Sequence, residues 1–226
     1  MVGDFAPRLD ILPPPQRRLW DELAAVPAEF ALYGGTAVAL HLGHRQSADF
    51  DFFGAQLFDS GALAAAIPFL GTATIIQRAP NTLSAIVGRG GAVQVSFFGV
   101  PAIPRLRPPH VAPDNGLQVA SLLDLAGTKA SVVQQRAEAK DYLDIDAILR
   151  DGRIDLPMAL AAAQAIYGAQ FNPQITLKAL SFFDDGNLRQ LPDAVKRRLA
   201  AAVRAVDLDL LPRIAKPDAS SGGGAP

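Results

Sequence analysis

Two carboxylates on one apolar strand set the terms for this chain. Between Phe30 and Phe53 it reads FALYGGTAVALHLGHRQSADFDFF. An apolar run stops at Gly34-Gly35, a short helical segment follows, and a second apolar run carries Asp49 and Asp51 one residue apart. Successive side chains of a strand alternate faces, so both carboxylates leave the same face, roughly 6–7 Å apart at the backbone. Their neighbours Phe50, Phe52 and Phe53 are apolar, which predicts a largely buried strand with its charges on one side. Aspartates in such surroundings are costly without a counter-charge. The pair therefore calls for a metal or a basic partner, and two hard oxygen ligands suit Mg²⁺ or Mn²⁺.

The glycine pair supplies the other half of a site. At a strand-to-helix turn, Gly34 and Gly35 adopt backbone angles that other residues avoid and let a phosphate chain approach the backbone. A helix beginning near Thr36 aims its free N–H groups at that anion. Asp49 and Asp51 would then hold the metal that bridges the same phosphates. The arrangement is not a P-loop, because no G-x-x-x-x-G-K-[ST] occurs.

These residues resemble the DNA polymerase β-like nucleotidyltransferase superfamily. More narrowly, GGTAVALHLGHRQSADFDFF is similar to the AbiEii/AbiGii group of nucleotidyltransferase toxins, with its Arg-x-Ser-x-Asp-x-Asp run at Arg45, Ser47, Asp49 and Asp51. Downstream, DLAGTKASVVQQRAEAKDYLDIDAIL resembles the family's Asp-x4-Lys motif, Asp124 to Lys129, and its Lys-Asp motif, Lys140 and Asp141. The matches cover most of residues 30 to 150. The resemblance implies transfer of a nucleoside monophosphate from an NTP to an acceptor hydroxyl. It also implies a toxin of a toxin–antitoxin or phage-defence system, acting on tRNA and neutralised by a separately encoded antitoxin. In that reading Lys129 donates to the nucleotide's phosphates, while Asp141 orients Lys129, holds a metal or accepts a proton from the acceptor hydroxyl; Asp144, one turn on, is its substitute. Arg45 holds the triphosphate, or neutralises Asp49 and Asp51 in the absence of metal. Ser47 touches the nucleotide or caps a turn.

One departure stands out. Many relatives of the superfamily complete the metal site with a third carboxylate from a later strand, and the equivalent run here is AVQVSFFGV, with Gln94 and Ser96 at the positions concerned. Neither is an acid. Either the third acid comes from elsewhere, with Asp141 the leading candidate, or the site is weakened. Two other readings follow: a small-molecule acceptor, as in antibiotic nucleotidyltransferases, or a nucleotide- or partner-binding module that has lost catalysis.

Size and composition bound these readings. The chain has 226 residues, half of them hydrophobic, which is ample for a sizeable core. No cysteine is present, which removes disulfides and thiolate metal sites. A net charge of −1 argues against broad, non-specific nucleic-acid binding, and favours a small-molecule acceptor mildly. No basic, then apolar, leader opens the sequence and no long apolar run occurs, so the expectation is a soluble, cytoplasmic protein without a membrane span.

Along the chain, Pro13-Pro14-Pro15 starts a helix that ends near Pro27, with Leu19, Trp20 and Leu23 on its core side. Residues 59 to 69 read as an alanine-rich helix, and Thr72 to Arg78, Thr82 to Val87 and Ala92 to Phe98 as strands separated by turns. The proline-rich segment 99–116, locally basic through Arg105, Arg107 and His110, reads as a solvated linker, with a substrate-contacting strip as the alternative. Helical patterns then occupy 120–135 and 140–150. Others start at Asp155, ended by Gly168, at Asn172-Pro173, and at Pro192, running to about Leu210. Asp184-Asp185-Gly186-Asn187 is a turn, and Lys196, Arg197, Arg198 and Arg204 form a solvated helix face. His41 and His44 lie near the site without the further ligands a zinc ion needs. The fold class is α+β: a nucleotidyltransferase-type mixed sheet with flanking helices, followed by a C-terminal helical bundle. The expected divisions are an N-terminal domain over 1–98, the connector 99–116, a helical domain over 117–215 and a flexible tail over 216–226.

Overall fold

A computed structural model describes residues 5–215. The tail 216–226 lies outside them. Helix α1 (Pro14–Leu19) opens on proline and runs into a 3₁₀ segment, Trp20–Ala25. Leu19, Trp20 and Leu23 are fully buried, and the Trp20 indole donates to the Asp114 carboxylate at 2.7 Å. Trp20 is thus a core residue with its one polar atom satisfied.

Strand β1 (Phe30–Tyr33) is buried at all four positions, turns at the glycine pair into α2 (Gly34–Leu42), and returns as β2 (Asp49–Gly54). The two strands pair antiparallel, with Tyr33 opposite Asp51. Helix α3 (Ser60–Ala66) is capped by Asp59, which accepts from the Ala62 N–H. It stops short of Pro68, and a 3₁₀ segment covers Pro68–Thr72. Strands β3 (Thr74–Ala79), β4 (Thr82–Gly88) and β5 (Ala92–Gly99) form an antiparallel meander. Its last strand then lies parallel to β2, placing Ser96 beside Asp51 and Gln94 beside Asp49. Two short strands, β6 (His110–Val111) and β7 (Gln118–Val119), complete a seven-stranded sheet of order β3-β4-β5-β2-β1-β7-β6.

The proline-rich segment differs from its expectation as a solvated linker. It supplies β6, and Leu106 is buried with its N–H on the Asp124 carboxylate at 2.7 Å. The Arg107 N–H reaches the other oxygen of Asp124 at 3.2 Å, and Arg105 donates to the Glu29 carbonyl at 2.6 Å. Proline leaves few backbone donors, and the donors that remain are spent on anchoring.

Helices α4 (Leu122–Val132), α5 (Ala139–Asp151), α6 (Leu156–Tyr167), α7 (Pro173–Ala179) and α8 (Asp193–Arg204) follow. Ser121, Asp155 and Asn172 each cap a helix by accepting a backbone N–H one turn in or less. Helix α8 stops at Arg204, short of the expected Leu210, because Asp207 caps a separate 3₁₀ turn, Leu208–Leu210. On its face expected to be solvated, Arg198 pairs with Asp146 of α5 at 2.7 Å. Gly127 lets α4 and α6 touch at the backbone: a Cβ there would lie 2.9 Å from the Ala162 carbonyl carbon.

Buried apolar side chains form one large cluster around the sheet and a second within the helices. Helix α4 belongs to both, giving Leu122, Leu125 and Ala126 to the first and Ala130, with the C-cap residue Val133, to the second. Lys129 therefore sits where the two cores meet. Among the described residues no helix is long and apolar enough to cross a membrane.

Candidate active site

A cleft of about 620 Å³ opens at that junction. Its floor is the turn of β1 into α2. Gly34 has φ +71°, a left-handed backbone that side chains resist, and a Cβ on it would lie 2.8 Å from Asp51 Oδ2. A Cβ on Gly35 would strike the Arg45 guanidinium and come within 3.1 Å of Ser47 Oγ. Each glycine is thus fixed by a different partner: the first by the strand carboxylate, the second by the Arg-x-Ser run. No side chain caps the N-terminus of α2, so its leading N–H groups keep free capacity.

Gly34, Gly35, Arg45, Ser47, Asp49, Asp51 and Lys129 all line the cleft. Thr36 does not. It is buried, and its hydroxyl donates to the Asp49 carbonyl, tying the helix to β2. Asp141 is absent from the lining too. It is fully buried, with Oδ1 accepting from Lys129 Nζ at 2.7 Å and Oδ2 from Arg136 Nε at 2.8 Å. Both its oxygens are engaged, which suits orienting Lys129 and leaves none directed at a metal. Asp144, also fully buried, accepts from Arg45 Nε at 2.6 Å and His44 Nε2 at 2.7 Å on one oxygen. On the other it meets Arg45 at 3.0 Å and Lys129 at 2.7 Å. Arg45 accordingly pairs with Asp144, not with Asp49 and Asp51. His41 turns away, donating to the Ala120 carbonyl at 2.9 Å.

The electrostatics separate the carboxylates. Burial raises the pKa of Asp51 and the neighbouring charge of Asp49 raises it further; Lys129, Lys140 and Arg136 oppose the rise without cancelling it. Burial also raises Asp141, yet hydrogen bonds from Arg136 and the charge of Lys129 outweigh it and the net shift is downward. Asp144 is pulled down further, its burial outweighed by His44, Lys129 and Arg45. In Asp124 burial prevails over its bonds from Ser121, Leu106 and Arg107, and the carboxyl is raised. Asp124 opens the Asp-x4-Lys motif but serves as the anchor for the proline-rich segment.

The lining also includes Arg136 and Lys140, so four cationic side chains face two carboxylates. Arg136 lies in the connection between α4 and α5, where no periodicity or motif in the sequence marks it as reaching the cleft. Tyr33, Phe53, Phe98 and Tyr167 form an aromatic wall, with the Tyr33 and Phe53 rings stacked at 4.8 Å. Alternation along strands could have flagged Phe53 and Phe98, which share the face of Asp51 and Ser96. Ser96 is buried away from the lining and bonds to the Ser84 hydroxyl at 3.1 Å. Among the described residues no three acidic, histidine or cysteine side chains gather as a metal site. Two same-face carboxylates, with the Asp51 carboxyl raised by burial and by its neighbour's charge, still fit a divalent cation that takes its remaining ligands from phosphate and water, the usual arrangement for Mg²⁺.

A mixed sheet carrying strand carboxylates against a glycine turn defines a nucleotidyltransferase-type fold, and solved structures agree. MenT4, a nucleotidyltransferase toxin from Mycobacterium tuberculosis, superposes with TM-score 0.57 at 14% identity, covering 86% of this chain and 83% of that one. An H. pylori protein described as a nucleotidyltransferase gives 0.52 at 17% identity, covering 84% and 90%. The model of the nucleotidyl transferase AbiEii toxin family, of type IV toxin–antitoxin systems, matches residues 18–218, and the chain belongs to that family. An uncharacterised Aquifex aeolicus protein is 31% identical over 159 residues, 70% of this chain and 75% of its own length. Family and fold support transferase activity, and membership implies an antitoxin partner.

Proposed function

We propose that this protein transfers a nucleoside monophosphate from an NTP to the hydroxyl of an acceptor, and that it acts as a toxin on the 3′ end of tRNA. The observation that carries the reading is the cleft's charge pattern: Asp49 and Asp51 beside a side-chain-free glycine floor, faced by Arg45, Lys129, Arg136 and Lys140. Asp49 and Asp51 would hold Mg²⁺ or Mn²⁺. What such an ion supplies when bound is polarisation of the α-phosphate and screening of charge as pyrophosphate leaves.

The remaining work falls to the chain's own groups. Gly34 and Gly35 admit the outer phosphates to the backbone, where the uncapped start of α2 offers N–H donors. Arg45, held by Asp144, and Lys129, held between Asp141 and Asp144, present fixed positive charge to the phosphates. Charge already in place when negative charge develops lowers the barrier without reorganisation. Asp141 and Asp144 are positioning residues in this scheme, and Thr36 fixes the turn. The aromatic wall gives the nucleobase an apolar surface.

The test is transfer of label from each α-³²P nucleoside triphosphate to total tRNA with Mg²⁺, in wild type and Asp51→Ala. Label that disappears in the variant supports metal-dependent nucleotidyl transfer to RNA. Nucleotide binding with no label on RNA would remove tRNA as the acceptor.

A further inference from the structure

A second cavity, of about 290 Å³, opens on the helical side of the cleft. Gln135 and Arg136 line both cavities, so the two meet at the turn between α4 and α5. Beyond that shared wall the groove is lined by Ile175 and Lys178 of α7 and by Phe182 and Asp185 of the turn that follows. Two of these are unusual for a surface: Phe182 is 49% exposed and Ile175 47%. Gln135, Lys178 and Asp185 are exposed as well.

We propose that this groove is the subsite that takes the single-stranded end of a nucleic-acid acceptor and delivers its terminal hydroxyl to the catalytic cleft. The inference rests on the transferase reading above. A transferase must seat its second substrate next to its first, and the groove adjoins the cleft, with Gln135 and Arg136 lining both. Its chemistry matches an unpaired strand. An exposed aromatic ring stacks on any base, while Lys178 and Arg136 meet backbone phosphate. Arg136 is already held by Asp141, so its guanidinium is fixed at the boundary of the two cavities. A polycationic small acceptor would meet those two cations with Asp185 the one carboxylate among the lining side chains. The charge favours a polyanion.

The groove is tested by KM for tRNA and, separately, for NTP in wild type, Phe182→Ala, Lys178→Glu and the double variant. Both residues are exposed and bond to nothing in the catalytic cleft, so folding is expected to be unaffected, and thermal melts check this. The expected result is a rise in KM for tRNA of about tenfold in Phe182→Ala, the scale of one lost base stack, and more in the double variant. KM for NTP stays within about twofold, the level expected of a group outside the nucleotide site. An unchanged KM for tRNA in the double variant overturns the subsite while leaving the transferase reading intact. So does an unchanged KM for tRNA accompanied by lost neutralisation by the antitoxin, which reassigns the groove to a protein partner. If the wild type labels no RNA, the RNA-acceptor reading and the subsite fall together.

Discussion

Four aspartates surround this cleft, and the two on the sheet differ from the two on helix α5 in nearly every physical respect. Asp49 and Asp51 share one face of β2, and among the described residues no basic side chain forms an ion pair with Asp51 to offset its burial; its carboxyl is driven up. Asp141 and Asp144 are buried more deeply, yet each is held by cations and driven down. Burial alone therefore does not decide an aspartate's charge; the partners that the fold delivers do. The helix pair spends its charge fixing Lys129, Arg45 and Arg136. The sheet pair keeps its charge available, which is what a site for a cation and phosphate requires.

The contrast breaks most visibly in activity. Asp51→Asn should lower nucleotidyl transfer by about 10³-fold, the scale of losing several kcal/mol of charge stabilisation, as measured by label transfer under single-turnover conditions. A loss below tenfold would remove the sheet pair from the chemistry. Stability should respond in the opposite sense to the corresponding change on α5. Asp144→Asn strands Arg45, Lys129 and His44, and is expected to cost about 3 kcal/mol in denaturant unfolding. A neutral result would mean that the cations rehydrate freely.

Acid sharpens the comparison further. Asp141 and Asp144 have folded pKa values below 3.8, so the unfolded chain binds more protons than the native one as pH falls past that value. Their stabilisation is present above pH 3.8 and is lost as pH falls towards their folded values. Melting temperatures between pH 5 and pH 3 should drop in wild type and drop less steeply in Asp144→Asn. The smallest effect is the mirror image. Relieving the repulsion between Asp49 and Asp51, Asp51→Asn should stabilise the metal-free protein by less than about 1 kcal/mol. It should also abolish any rise in melting temperature that Mg²⁺ gives the wild type. Destabilisation by Asp51→Asn would show that the sheet carboxylate is already compensated.

Much of the fold was legible because it is written locally. Short β-type runs separated by turn residues gave β3, β4 and β5, and Asp155, Asn172 and Pro192 gave the starts of α6, α7 and α8. The proline-rich segment misled because its order comes from contacts far along the chain: Leu106 and Arg107 lean on Asp124, and β6 needs β7 to exist. In the site, the Asp-x-Asp pair and the two glycines were readable from spacing. The register that sets Ser96 beside Asp51 follows the pattern as well, and the structure adds that its hydroxyl faces Ser84 and not the cleft. Arg136 was undervalued, since nothing local marks a turn residue as the wall of two cavities.

What the sequence determined by itself is the chemistry on offer: two carboxylates on one strand face, a turn only glycine can make, and a lysine two motifs downstream. Those follow from the period of a strand and the sterics of a backbone, which act over a few residues. What the tertiary structure decided is how charges pair. Arg45 and Asp144 are 99 positions apart, and they meet only because α5 docks against α2. A charge's partner is set by distance in space, where Coulomb attraction and desolvation compete. That competition left Asp51 without an ion pair among the described residues and Asp144 saturated.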